Sequence, residues 1–117
     1  LHPLVRPLPP LGYLEFLGLQ ASAALVFTDS GGVQEEACCL GVPCVTLRDN
    51  TERPESIEVG ANVLASCDPA KIVECARQMS SRHGGWANPF GDGRSGERIV
   101  DGIALAMGEP VPVAVVK

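Results

Sequence analysis

Apolar and polar residues alternate along the chain in blocks that predict strands and helices in turn. Short apolar runs predict strands at 23–28, 44–47 and 62–65, with a further short strand at 4–6, and the run at 44–47 predicts burial on both faces. Apolar residues at helical spacing predict helices at 11–21, 32–40, 54–59, from 69 onward, and at 94–107. This alternation predicts an α/β fold, a parallel sheet with flanking helices.

Residues that begin and end helices support these boundaries. Two prolines, Pro9 and Pro10, stand where the first helix would begin, and Gly41 ends the second helix. Asp68 and Pro69 predict a capped start for the fourth helix. Its predicted core face comprises Ile72, Val73, Ala76 and Met79. Residues 82–93 are predicted to be a loop, and the tail from residue 109 is predicted to be frayed or docked elsewhere.

The turn after the first long strand is a candidate anion site. Ser30, Gly31 and Gly32 follow this strand and lead directly into a predicted helix. The first amides of a helix have no internal partner and lie at the positive end of the helix dipole, and glycine lets a phosphate approach the backbone closely. An ordinary helix cap explains the same residues. We interpret Asp29 as a structural residue that orders the turn.

In a parallel sheet, ligands bind beyond the carboxyl ends of the strands. The turn at 30–32 and the polar loop at 48–53 both follow strands, so they are expected to face the same crevice.

Composition narrows the function classes. The net charge is −5, which disfavours nonspecific nucleic-acid binding. Five cysteines are interpreted as small buried residues of a reducing, cytoplasmic compartment. Two histidines make a zinc site improbable, and no apolar run is long enough to span a membrane, so no metal, cofactor or membrane partner is expected. The chain starts without methionine, which suggests the middle of a larger protein.

Several ordered motifs resemble the non-hydrolysing UDP-N-acetylglucosamine 2-epimerases. They are PLGYLEF at 10–16, DSGGVQEEA at 29–37, LGVP at 40–43, LRDNTERPE at 47–55 and NPFGDG at 88–93, followed by Arg98 and Ile99. The resemblance implies a Rossmann-like domain of a glycosyltransferase-B type two-domain fold. It covers only the C-terminal part of the second domain, so residues 1–108 are expected to be a partial UDP-binding domain, with 109–117 as a tail.

The resemblance also assigns roles. It implies that Ser30, Gly31 and Gly32 hold the UDP diphosphate and that Arg53 reaches the phosphates. Glu36 would accept hydrogen bonds from the ribose hydroxyls. Phe16 would pack near uracil, and Leu11 occupies a further position that contacts uracil.

Alternative interpretations of these residues stay open. Glu36 could simply complement the helix dipole, Arg53 could pair with Glu52 or Glu55, and Phe16 could be a core residue. Arg48 and Asp49 could form a local pair.

The family interconverts UDP-GlcNAc and UDP-ManNAc by eliminating UDP to a glycal and adding it back with inversion at C2. The chain is therefore expected to bind UDP-GlcNAc or UDP but to contain no catalytic residue. It is expected to be inactive without an N-terminal domain and to form homo-oligomers through an open sheet edge and an uncovered apolar helix. The competing classes are half of a glycosyltransferase-B glycosyltransferase and a non-catalytic nucleotide-binding module.

Overall fold

The computed structural model describes residues 2–82 and 84–108, which form five helices and three strands. In chain order these are α1 (Tyr13–Ala21), β1 (Val26–Thr28), α2 (Gly31–Cys39), β2 (Cys44–Thr46), α3 (Pro54–Glu58), β3 (Asn62–Leu64), α4 (Pro69–Ser80) and α5 (Ser95–Ala106). The predicted succession of elements is confirmed between residues 11 and 107, with boundaries that differ by at most three residues.

The three strands form a parallel sheet in the order β1-β2-β3. Thr28 pairs with Thr46, and Thr46 pairs with Leu64, so all three strands end at the same edge. All three residues of β2 are buried, which confirms the prediction that this strand is covered on both faces. The predicted α/β, Rossmann-like class is therefore confirmed.

Two apolar clusters lie on opposite faces of β2, as the alternation of side chains along a strand requires. On one face Val45 packs with Ala65 and with Cys75 and Met79 of α4. On the other face Cys44 packs with Ala37 of α2 and with Val42. The predicted core face of α4 was correct for Met79 and wrong for Val73, which is 49% exposed, because Cys75 takes the inward position.

The predicted strand at 4–6 is wrong. Residues 2–10 are exposed and contain only a turn, in which the Val5 amide donates to the His2 carbonyl. Pro3 and Pro7 lack the amide donors that a strand ladder needs, which explains the absence of pairing. The first helix begins at Tyr13, so Pro9 and Pro10 precede it and do not form its first turn.

The last helix has no buried residue. Its predicted apolar side is exposed at Ile99, Val100, Ile103 and Met107. The predicted behaviour of the tail at 109–117 lies outside the described residues.

Candidate functional site

The N-terminus of α2 presents two amides toward solvent at the sheet edge. Ser30 is the N-cap, and its Oγ accepts a long hydrogen bond of 3.5 Å from the Val33 amide. Within residues 2–82 and 84–108, the amides of Gly31 and Gly32 have no hydrogen-bond partner. These two donors lie at the positive end of the helix dipole and are suited to an anion.

Thr28, and not the expected Asp29, orders this turn. Thr28 Oγ1 accepts a hydrogen bond of 3.0 Å from the Ser30 amide, and Asp29 is exposed without a side-chain hydrogen bond to the described residues. The structural role predicted for Asp29 is therefore wrong. Thr28 can fill it because its hydroxyl lies next to the turn at the end of β1.

Arg53 lies beside the two glycines. A Cβ built on Gly31 would be 3.9 Å from Arg53 Cγ, so the arginine side chain passes over the start of α2. The loop at 48–53 therefore reaches the turn through Arg53, and the shared crevice stays a prediction. The predicted alternative partners of Arg53 are wrong, because its Nε lies 2.5 Å from Glu35 Oε1 of α2. The Nε hydrogen is not directed at this oxygen, so the contact is a close ion pair and not a hydrogen bond.

Buried polar side chains anchor the loop that carries Arg53. Thr51 Oγ1 donates to Gln34 Oε1 over 2.6 Å and accepts from the Arg53 amide over 3.0 Å. Gln34 and Asn62 are 0% and 1% exposed, and Asn62 Nδ2 donates to Gln34 Oε1 over 3.2 Å. Ser56 accepts from Asn62 and donates its own hydroxyl hydrogen to the Arg53 carbonyl. The loop is therefore tied to α2 and β3 before any ligand binds.

This network is what sequence reasoning missed. Its members lie 17 residues apart (Thr51 and Gln34) and 28 residues apart (Asn62 and Gln34) in the chain. The one local signal was that polar residues stand where an apolar core would be expected, at Gln34 inside a helix and at Asn62 in a strand.

Glu36 faces α1. Its Oε2 accepts a hydrogen bond of 2.7 Å from Gln20 Nε2, and Gln20 is 4% exposed. The glutamate is half-buried, and its second oxygen has no hydrogen-bond partner among the described residues. A carboxylate held at one oxygen keeps acceptor capacity for a diol.

Phe16 and Leu11 line the same apolar groove. The groove has a volume of about 340 Å³, and both side chains are 37% exposed. Its other lining residues are Leu8, Pro9, Pro10 and Leu19. Phe16 precedes Gln20 by one helical turn, so it lies on the α1 face that contacts Glu36. Phe16 is therefore not a buried core residue.

The motif at 88–93 forms a turn. Asn88 accepts from the Phe90 amide and donates to the Gly91 carbonyl, which closes the turn on itself. Asp92 accepts from the Arg94 amide and from both terminal nitrogens of Arg98, at 2.8 and 2.7 Å. This pair lowers the pKa of Asp92 from 3.8 to about 2, chiefly through the Arg98 hydrogen bonds. The motif thus orders the start of α5.

The cysteines divide into two groups. Three are buried (Cys38, Cys44 and Cys75), and burial raises the pKa of Cys44 to about 11. The expectation of burial was wrong for Cys39 and Cys67, which are exposed. Across residues 2–82 and 84–108, no group of three metal-ligating side chains occurs and no helix is long and apolar enough to cross a membrane.

The glycine amides and Arg53 meet at the carboxyl edge of a parallel sheet in an α/β domain, which is where domains of this class bind their ligands. The sequence profile of the UDP-N-acetylglucosamine 2-epimerase family matches residues 1–104, and the chain belongs to that family.

Individual relatives support this family membership. The UDP-N-acetylglucosamine 2-epimerase of Methanococcus maripaludis is 56% identical over 111 residues, 93% of this chain and 29% of the relative. The Methanocaldococcus jannaschii UDP-GlcNAc 2-epimerase, solved with UDP-GlcNAc and UDP, matches with 56% identity and a TM-score of 0.78, over 84% of this chain and 27% of that one. A similar protein from Listeria monocytogenes, described as a putative UDP-N-acetylglucosamine 2-epimerase, is 38% identical with a TM-score of 0.76, over 88% and 29%. This chain thus corresponds to part of a glycosyltransferase-B type fold and spans less than a third of the length of these relatives.

Proposed function

We propose that this chain is the UDP-binding C-terminal part of a non-hydrolysing UDP-GlcNAc 2-epimerase. The observation that carries the proposal is the convergence of the Gly31 and Gly32 amides, which have no partner in the described part of the chain, with the side chain of Arg53. Backbone amides at a helix start and a guanidinium are the donors that bind phosphates best. In this proposal residues 1–108 form the partial UDP-binding domain.

The remaining groups fit the rest of UDP. Glu36 has an oxygen available for the ribose hydroxyls, and Gln20 holds the other oxygen in place. The groove lined by Phe16 and Leu11 offers apolar surface to uracil, and Phe16 lies one helical turn before Gln20 on α1. We therefore assign diphosphate, ribose and base to three adjacent regions of α1 and α2.

The proposed reaction removes the proton at C2 of the sugar and breaks the C1–oxygen bond, which releases UDP and leaves a glycal. UDP then adds back to C1 while a proton returns to C2 on the opposite face. The residues of this chain stabilise the negative charge that develops on the departing UDP, through the Gly31 and Gly32 amides and Arg53. None of them is assigned the proton transfers at C2.

We infer that residues 1–117 alone bind UDP and have no epimerase activity, which requires an N-terminal domain in the same or another polypeptide. A cytoplasmic location remains a prediction. The relatives described above bear epimerase names, which favours an epimerase over a glycosyltransferase half or a pure binding module.

Calorimetric titration with UDP tests the binding claim. We expect UDP to bind more tightly than ADP, and Glu36→Ala to weaken UDP binding. Glu58→Ala, a charge-matched change at an exposed glutamate at the end of α3, is the control and should leave affinity unchanged. Equal affinity for UDP and ADP, or no binding by the folded chain, would contradict the proposal.

Activity is tested separately by mixing the chain with UDP-GlcNAc and analysing the products. We expect no UDP-ManNAc from the chain alone and UDP-ManNAc once the N-terminal domain is supplied. Transfer of the sugar to an acceptor would instead identify a glycosyltransferase.

A further inference from the structure

Glu35 contacts Arg53, and the proposed function gives this contact no role. Glu35 lies in the second turn of α2, and its Oε1 is 2.5 Å from Arg53 Nε. The two side chains are only 37% and 38% exposed, so solvent screens this pair less than a fully exposed one.

The rest of Arg53 is also held. Its Nη1 donates to the Glu52 carbonyl over 3.2 Å, and its amide donates to Thr51 Oγ1 over 3.0 Å. The guanidinium is therefore restrained at Nε and Nη1, and Nη2 has no hydrogen-bond partner among the described residues. The same side chain passes the start of α2, where a Cβ built on Gly31 would be 3.9 Å from Arg53 Cγ.

We propose that Glu35 is a positioning residue that holds the Arg53 guanidinium over the N-terminus of α2 before a nucleotide diphosphate binds. This inference rests on the proposed function. An unrestrained arginine loses rotamer freedom when it binds a phosphate, and a restrained one has already lost it.

The Glu35 carboxylate has a second, opposing effect, because it repels a phosphate. Both effects are separable by experiment, since the positioning effect requires Arg53 and the repulsion does not. If positioning dominates, removing Glu35 weakens diphosphate binding only while Arg53 is present.

The test is a double-mutant cycle with UDP affinity measured by calorimetry. We expect Glu35→Ala to weaken UDP binding about fivefold to tenfold in the chain that has Arg53. In an Arg53→Ala chain the same change should leave UDP binding unchanged or slightly tighter. Uridine, which has no phosphate, should bind equally to the Glu35→Ala and unaltered chains.

The control is Glu52→Ala, because Glu52 is next to Arg53 and contacts it through its carbonyl and not its carboxylate. This variant removes the same charge and should keep UDP affinity. Equal weakening by Glu35→Ala in both backgrounds, equal weakening by Glu52→Ala, or tighter binding by Glu35→Ala would overturn the proposal.

A measurement without ligand separates this proposal from the proposed function. In the ¹⁵N relaxation of the arginine Nε groups, Arg53 should be ordered in the free chain and mobile in Glu35→Ala. Unchanged order would overturn the positioning role, whatever UDP does. If Arg53 lost its order in Glu35→Ala but the unaltered chain did not bind UDP, the proposed function would be contradicted and the positioning role of Glu35 would stand.

Discussion

Alanine at Gly31 or Gly32 should make the protein more stable and a poorer UDP binder. A Cβ at Gly31 would be 3.9 Å from Arg53 Cγ, and a Cβ at Gly32 would be 3.9 Å from Ser30 Oγ. Both are ordinary van der Waals distances, and neither glycine has a positive φ. The folded structure therefore accepts both methyl groups without strain.

The substitutions are expected to raise the free energy of unfolding and to lower the affinity for UDP. Replacing glycine by alanine at a compatible helical position raises the free energy of unfolding by about 0.4–1 kcal/mol, because the unfolded chain loses freedom. The methyl group at Gly31 would stand beside the amides at the start of α2, where we place the diphosphate. Losing one charge-assisted hydrogen bond there costs about 1.5–3 kcal/mol, or roughly tenfold to 150-fold in affinity.

Urea denaturation and UDP calorimetry on the same samples provide the assay. Gly102→Ala in α5 is the matched control, because no atom of residues 2–82 or 84–108 lies within 4 Å of the added Cβ. It should stabilise the helix and leave UDP affinity unchanged. If Gly31→Ala kept full UDP affinity, the glycines would be explained by helix capping alone and our placement of the diphosphate would be refuted.

The remaining predictions concern packing, charge and accessibility. Met79→Ala should lower the free energy of unfolding in urea by about 2–5 kcal/mol, since Met79 is 0% exposed. Val73 is half-exposed, so Val73→Ala should lower it by under about 1 kcal/mol. Equal losses in the two variants would contradict the described core. The pKa of Asp92 falls from 3.8 to about 2 on folding, so its stabilisation of α5 should be complete above pH 3.8 and lost as the pH falls through about 2. The pH dependence of the amide chemical shifts in α5 reports this loss. The same pH dependence in an Asp92→Asn chain would refute the prediction. Iodoacetamide should label the two exposed cysteines of the native chain and leave the three buried ones unmodified, as measured by peptide mass spectrometry. Labelling of all five cysteines at equal rates would contradict the described burial. Light scattering should show concentration-dependent self-association that Ile103→Glu on the exposed face of α5 weakens, whereas a monomer at high concentration would refute the predicted oligomer.

Most helices and strands of this fold could be predicted from the sequence, because the residues that start and end them act locally. Ser30 and Asp68 cap the helices where expected, and the Gly41 signal places the end of α2 correctly. Residues 4–6 have strand-like side chains, but the flanking prolines and the lack of a neighbouring strand decide their conformation.

The site was predictable only in part. Motif resemblance picked out the glycines, Arg53 and Glu36, and the structure brings Arg53 to the glycines and Glu36 to α1. The contacts of Arg53 with Glu35 and of Glu36 with Gln20 could not be predicted from the sequence, because they depend on how separate elements pack together. Parallel strand order decides that packing, and no short window of sequence reports it.

The most direct test of the central claim is a ¹H–¹⁵N NMR titration of the chain with UDP. We expect the largest shifts at the amides of Gly31 and Gly32 and at Arg53 Nε, with smaller shifts near Phe16. Saturable shifts confined to these positions would place the diphosphate at the start of α2. Shifts centred elsewhere, or none in a folded sample at millimolar UDP, would contradict the account.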